Sequence, residues 1–265
     1  IPIMPGRVAA QSASAMSEQD RWIIRAALNT RLAYVITGDR EIDEVNRSGL
    51  SSLSEILKRR TAVEPLEPMA VDVEVDELSL FPLLYWPITE AQADLTPTGE
   101  ARLNLYMRNG GTIFFDTRDR INATPGSFGP GSFGPGVIGP GLRRLRSLTR
   151  NLDIPALMPL PENHVITKSF YLLDTFPGRY AGGRIYVEQG EGRSEVSPVI
   201  IGSHDWAGAW AKSEDGFYRF PVVPGGELQR EMAFRSGVNL VMYILTGNYK
   251  ADQVHIPAIL ERLGQ

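Results

Sequence analysis

Short apolar runs alternate with amphipathic helical stretches through the first half of this chain, and that alternation limits the folds open to it. Leu32–Thr37 (LAYVIT) is rich in branched and aromatic residues and stops at Gly38-Asp39, which predicts a buried strand. Ser48–Arg60 follows with Leu50, Leu53, Ile56 and Leu57 at helical spacing and basic residues at its end. Met69–Val75 and Leu80–Tyr85 are further strand candidates, the second closed by Trp86-Pro87. Thr96-Pro97 opens a second helix with Thr96 as N-cap, Leu103, Tyr106 and Met107 as its inner face, and Gly110-Gly111 as its stop. Thr112–Phe115 is a fourth strand, ending at Asp116-Thr117. Strands and helices joined this closely predict an α/β fold in three layers, with a mainly parallel central sheet covered by helices on both faces. Ligands of such sheets bind beyond the carboxyl ends of the strands. That rule selects Gly38, Asp39, Tyr85, Trp86, Asp116, Thr117 and Arg118 on topology alone.

The pattern breaks at Ala123–Gly141, where GSFGPGSFGPGVIGPG repeats a five-residue unit three times with Gly and Pro in register. Such a density of Gly and Pro builds neither a helix nor an interior strand, so a long surface loop is expected, with Phe128, Phe133 and Ile138 as its apolar points. Leu142–Leu152 returns to a helix, with arginines 143, 144, 146 and 150 on its polar side. Ile185–Glu188 and Val199–Ile201 read as strands, and Glu227–Thr246 as a long helix stopped by Gly247, with a terminal helix over Pro257–Leu263. The expected organisation is a tail or linker over residues 1–17 and one domain over 18–265 that carries the 123–141 insertion.

Composition removes whole classes of function. Lys+Arg 27 against Asp+Glu 31 leaves a net charge of −4, without the basic excess of a general nucleic-acid binder. No cysteine is present, which excludes disulfides, thiolate metal sites and cysteine nucleophiles. No apolar run approaches the length needed to cross a bilayer. Neither a GxGxxG turn after a strand nor a GxxxxGK[ST] loop occurs, and the prolines of the Gly-rich stretch remove donors that a phosphate cradle needs. The three histidines are far apart and no HExxH or GxSxG motif occurs, so neither a metal nor a cofactor is expected. What remains is Ser203-His204-Asp205-Trp206, with Trp210, at the end of a strand: polar groups beside an apolar plate, a set that suits a saccharide. The competing reading packs both tryptophans in the core and uses Asp205 as a cap. Asp39 and Asp116 carry the same ambiguity between capping a helix and lining a cleft.

LAYVITGD (Leu32–Asp39), FPLLYWPIT (Phe81–Thr89), NGGTIFFDTRD (Asn109–Asp119), SHDWAGAWA (Ser203–Ala211) and the block from Gly237 to Gln265 together resemble the bacterial family called domain of unknown function 4159, from about Leu28 to Gln265. The resemblance implies a flavodoxin-like fold close to class I glutamine amidotransferases and trehalose-utilisation-like proteins. Members of those enzymes place a cysteine where Asp116-Thr117 stands here, so their chemistry is excluded. Relatives often carry Gly-His where this chain has Trp86-Pro87, and two acidic residues where it has Asp116-Thr117; Pro161–Leu173 keeps only Asn163-His164 of a further shared segment. The versions most like this one are carboxyl-terminal parts of membrane-anchored envelope proteins resembling aerotolerance regulators, often encoded near a MoxR-type ATPase. That implies a domain tethered to the inner membrane through another part of the protein, on the periplasmic side, with the cytoplasmic side as the alternative.

The resulting expectation is a non-catalytic binding or interaction domain of the envelope. Its candidate site comprises Asp39, Tyr85, Trp86, Asp116, Arg118, His204, Asp205 and Trp206. Asp116 and Asp205 accept hydrogen bonds, Arg118 pairs an anionic group, and Trp86 or Trp206 stacks. A saccharide or another polar small molecule, other envelope proteins and the MoxR-type ATPase system are the expected partners; nucleic acid is not. The rival is a carbohydrate or cell-wall hydrolase using Asp116 and Asp205 across an open cleft. A third reading places the partner surface on Phe128, Phe133 and the arginine helix instead.

Overall fold

Each predicted apolar run alternates its side chains between two cores, and this places the sheet in the middle of the molecule. A computed structural model describes residues 30–122, 139–189 and 196–263, with backbone alone at 121–122 and 248–263. Seven strands form one sheet: β1 (Arg31–Val35), β2 (Leu66–Val71), β3 (Leu83–Pro87), β4 (Thr112–Asp116), β5 (Leu157–Pro159), β6 (Tyr186–Glu188) and β7 (Val199–Gly202). Their order is β2-β1-β3-β4-β7-β6-β5. The first five are parallel, whereas β6 runs antiparallel to β7 and β5 antiparallel to β6. The chain is therefore an α/β domain with a mixed, mostly parallel sheet flanked by helices. The antiparallel edge strand β5 has no counterpart in the sequence reading, because three residues leave no periodicity to detect.

Leu32, Tyr34, Leu83, Tyr85, Phe114 and Ile200 face one core, closed by helices α1 (Arg40–Arg60), α4 (Trp206–Trp210) and α5 (Glu227–Leu263). Ala33, Val35, Leu84, Trp86, Ile113 and Phe115 face the other, closed by α2 (Pro97–Arg108) and α3 (Pro140–Leu148). The alternation within each strand is the pleat itself.

Element boundaries depart from the expectations where side chains compete for backbone groups. Helix α1 starts eight residues early, at Arg40, because the Asp39 carboxylate accepts from the N–H groups of Glu41 (3.0 Å) and Ile42 (3.2 Å). Strand β2 stops at Val71 rather than Val75, since Asp72 and Asp76 turn the chain through bonds to the Glu74 and Asp72 N–H groups. Strand β3 begins at Leu83 and runs through Trp86-Pro87, after a 3-10 turn at Leu78–Leu80. Helix α2 begins at Pro97 with Thr96 as its cap, as expected. Helix α3 begins inside the expected loop, at Pro140; residues 123–138 of that loop, with Phe128, Phe133 and Ile138, lie outside the described residues, as do the 1–17 tail and the Glu18–Thr30 stretch up to residue 29. Gly247 does not stop a helix. The single helix α5 passes through it, and a Cβ there would sit 1.9 Å from Val196 Cγ2, so the position needs glycine for close approach rather than for a cap. No helix among the described residues is long and apolar enough to cross a membrane.

Candidate functional site

Three parallel strands end level with one another. Pro87 pairs with Asp116, and Asp116 with Gly202, so the loops after β3, β4 and β7 leave the sheet at one height. Alternation points Tyr85 and Asp116 to the same face, where α4 covers them. Both are fully buried, Asp116 at 0% exposure.

The Asp116 carboxylate takes four internal hydrogen bonds. Oδ2 accepts from the Tyr85 hydroxyl (2.7 Å) and the Trp206 N–H (2.9 Å); Oδ1 accepts from the N–H groups of Arg118 (3.1 Å) and Asp205 (3.3 Å). The Tyr85 oxygen in turn accepts from the Ala207 N–H at 3.3 Å. One carboxylate thus ties β3, β4, the loop after β7 and the first turn of α4 together. Burial, and then the neighbouring Asp205 charge, push the Asp116 carboxyl up to about 6 despite these donors.

Asp205 is 2% exposed and sits between two arginines: Arg118 Nε donates to Oδ1 at 3.4 Å and Arg179 Nη1 to Oδ2 at 3.0 Å. Asp205 (φ 53°) and Arg118 (φ 55°) are the two non-glycine residues with left-handed backbone among the described residues. Such a conformation costs on the order of 1–3 kcal/mol for a residue with a Cβ and persists where the surroundings enforce it. Here the enforcement is visible. The left-handed turn at Arg118 returns its N–H to Asp116, and that at Asp205 lays its carboxylate against Gly208, where a Cβ would lie 2.3 Å from Oδ2.

His204 is buried at 1% exposure, its ring 4.5 Å from that of Trp206. Burial, and then the Arg120 charge, push its imidazole down to about 3, so it is neutral at physiological pH. Trp206 is 0% exposed, donates Nε1 to the Pro177 carbonyl at 3.1 Å and packs on Phe114. The expected stacking plate is therefore a core residue. Trp86 is also buried, and it faces the opposite core against Phe115. Asp39 is an exposed helix cap, not a member of this cluster. The strand edge brings Tyr85, Asp116, Arg118, His204, Asp205 and Trp206 together; it separates Asp39 and Trp86 from them. Of the arginine helix, Arg144 is held by Asp94 at 2.7 Å and by the Gln92 carbonyl.

Arg179 and Tyr180 belong to the cluster and have no clear mark in the sequence. Their one signal is placement in a turn-dense stretch between Pro177-Gly178 and Gly182-Gly183. A depression of about 550 Å³ lined by Tyr34, Arg40, Glu41, Asp43, Glu44 and Arg219 has neither Asp116 nor Asp205 on its wall. No group of three or more His, Asp or Glu side chains among the described residues is arranged to hold a metal.

The fold and this edge define a mostly parallel α/β domain whose strand ends are knotted by a buried carboxylate. The family described as Domain of unknown function (DUF4159) matches residues 31–245, most of the chain. The chain belongs to the DUF4159 family; the match stops short of the Gln265 end that the sequence resemblance reached. No curated protein matches it in sequence.

Proposed function

We propose that this chain is a non-catalytic binding or interaction domain of a bacterial cell-envelope protein, receiving its ligand or partner at the carboxyl-terminal edge of the parallel strands. The observation that carries this reading is the Asp116 carboxylate, which is fully buried and accepts two internal hydrogen bonds on each oxygen. A group so occupied positions neighbours rather than reacting with a substrate. The hydrolase alternative requires two carboxylates about 5–10 Å apart that reach a substrate in an open cleft. Burial of Asp116 and Asp205, and the pairing of Asp205 with two arginines, count against it. The parallel strands follow the order 2-1-3-4-5 of flavodoxin-like sheets, which supports the amidotransferase-like fold assignment. With no cysteine in the chain, that fold works here as a scaffold. The envelope setting, inner-membrane tethering and MoxR-type partner system rest on the resemblance to membrane-anchored proteins.

A thermal-shift screen against sugars, cell-wall fragments, nucleotides and divalent metals tests this reading. A stabilising ligand raises the melting temperature by mass action. The expected result is a shift that Arg118→Lys reduces, with no turnover of the ligand. Hydrolysis of a cell-wall fragment that disappears in Asp116→Asn would overturn it in favour of the enzyme.

A further inference from the structure

We propose that Arg118, Arg179 and Tyr180 form a binding site for an oxyanion, a phosphate monoester or carboxylate group, at the carboxyl-terminal edge of β4 and β7. The inference rests on the reading of this edge as a binding surface and gives that surface a ligand chemistry.

Both guanidiniums are only partly used within the protein. Arg118 gives Nε to Asp205, and Arg179 gives Nη1 to Asp205 and Nε to the Pro221 carbonyl at 3.2 Å. The two terminal nitrogens of Arg118 and Nη2 of Arg179 donate to no described residue, and the two side chains keep 20% and 15% exposure. A guanidinium carries five N–H donors in a rigid fork that matches carboxylate and phosphate oxygens.

These donors are held in advance of any ligand. The Arg179 backbone is clamped by the Gln229 amide, whose Nε2 donates to the carbonyls of Arg179 (3.0 Å) and Val223 (2.8 Å). Val223 N–H closes on the Arg179 carbonyl at 2.7 Å, and the guanidinium lies 4.4 Å from the centre of the Phe220 ring. Arg118 is fixed by its left-handed turn onto Asp116. Asp205 between them keeps two cations together that would otherwise repel.

Tyr180 supplies the independent observation. Its N–H donates to the His204 carbonyl at 3.1 Å, its ring centre lies 5.2 Å from the Arg179 guanidinium, and its hydroxyl hydrogen-bonds to no described residue. It stands in the combined field of Arg179, Asp205 and Arg118. Its hydroxyl, like the spare guanidinium nitrogens, has no acceptor among the described residues. An oxyanion supplies one, accepting from the guanidinium forks and the Tyr180 O–H together. The cost of two left-handed non-glycine residues at one place then has a purpose, the pre-organisation of these donors.

Isothermal titration of the full chain with inorganic phosphate, glycerol phosphate and succinate, at constant ionic strength, tests the site. Saturable binding is expected, with phosphate compounds or succinate preferred according to which oxyanion the site takes. Tyr180→Phe should weaken binding about tenfold with the melting temperature unchanged, and Arg118→Lys, which keeps the charge but loses the fork, should weaken it at least as much. No saturable binding of any of the three, or binding unchanged in both variants, overturns the proposal. If the screen nevertheless finds another ligand whose binding depends on Arg118, the binding-domain reading stands and only the oxyanion chemistry fails.

Discussion

Tyr85 shows how much of this edge hangs on one hydroxyl. It donates to Asp116 and accepts from the Ala207 N–H, so Tyr85→Phe leaves a buried carboxylate short of a donor and a buried amide without an acceptor. The expected loss is about 1–3 kcal/mol of unfolding free energy, read by urea denaturation, with the fold retained. The titrating residues make a second prediction at this scale. Asp116 holds its proton up to about 6 in the fold against an ordinary 3.8, so its contribution to stability is complete below pH 3.8 and is lost as pH rises through 6. His204 works in the opposite sense. With its imidazole at about 3 against an ordinary 6.5, its contribution is complete above pH 6.5 and is lost as pH falls toward 3. Each slope is about 1.4 kcal/mol per pH unit, and between pH 3.8 and 6 they oppose one another. Glu44 and Glu231, held low by hydrogen bonds from Arg47 and Arg60, act alike in the native protein and the variant. His204→Gln therefore removes one arm: its melting temperature should rise, relative to the native protein's, as pH falls from 6.5 toward 4. Parallel profiles for the two proteins would contradict the assignment.

Elements meet here at distances that fix particular residues. Helices α1 and α4 touch at Gly49, where a Cβ would stand 2.4 Å from the Ala207 carbonyl oxygen. Alanine has the better helix propensity by about 1 kcal/mol, so Gly49→Ala would stabilise an isolated helix. In this packing it must push α4 away from α1 and disturb the Ala207–Tyr85 contact. The net expectation is destabilisation of about 1–3 kcal/mol, measured by thermal or chemical unfolding; a more stable variant would mean that α4 yields freely. At this scale the sequence is legible where a pattern is local. Thr96-Pro97 announced its helix, and the apolar runs of β1, β3, β4 and β7 announced their strands, because propensity and burial agree there. It is illegible where partners are distant. Asp39 carries the same letters whether it caps a helix or lines a cleft, and only the positions of the Glu41 and Ile42 N–H groups decide. Trp86 and Trp206 look alike as candidate plates, yet the pleat and the turn of α4 bury both. Arg179 joins Asp205 across 26 residues, a pairing that no spacing rule contains.

Taken as one body, the described molecule has a tight polar knot where open α/β sheets commonly keep a crevice. Ligand-binding loops are generally drawn from the least stable parts of a fold, because they move. This edge is built otherwise. The Trp206 N–H points at a buried carboxylate, the Ala207 N–H at a buried hydroxyl, and both tryptophan rings of α4 are enclosed, with Trp210 Nε1 bonded to the Ala233 carbonyl at 2.9 Å. Opening it would break the bonds of Asp116 and expose part of a core shared by α1, α5 and three central strands. Local opening should therefore cost nearly as much as unfolding the whole domain. Amide hydrogen exchange reads this directly. The Trp206 and Ala207 amides should exchange as slowly as those of β4, while Gly216 and Phe217, in a turn where Phe217 is 73% exposed, should exchange early. If Trp206 and Ala207 exchanged with the turn instead, the edge would be a hinge, and ligand binding there would proceed by closure. Slow exchange with saturable binding would mark a rigid receptor whose contacts are set before the ligand arrives, so that binding leaves the sheet unchanged and acts through the rim arginines alone.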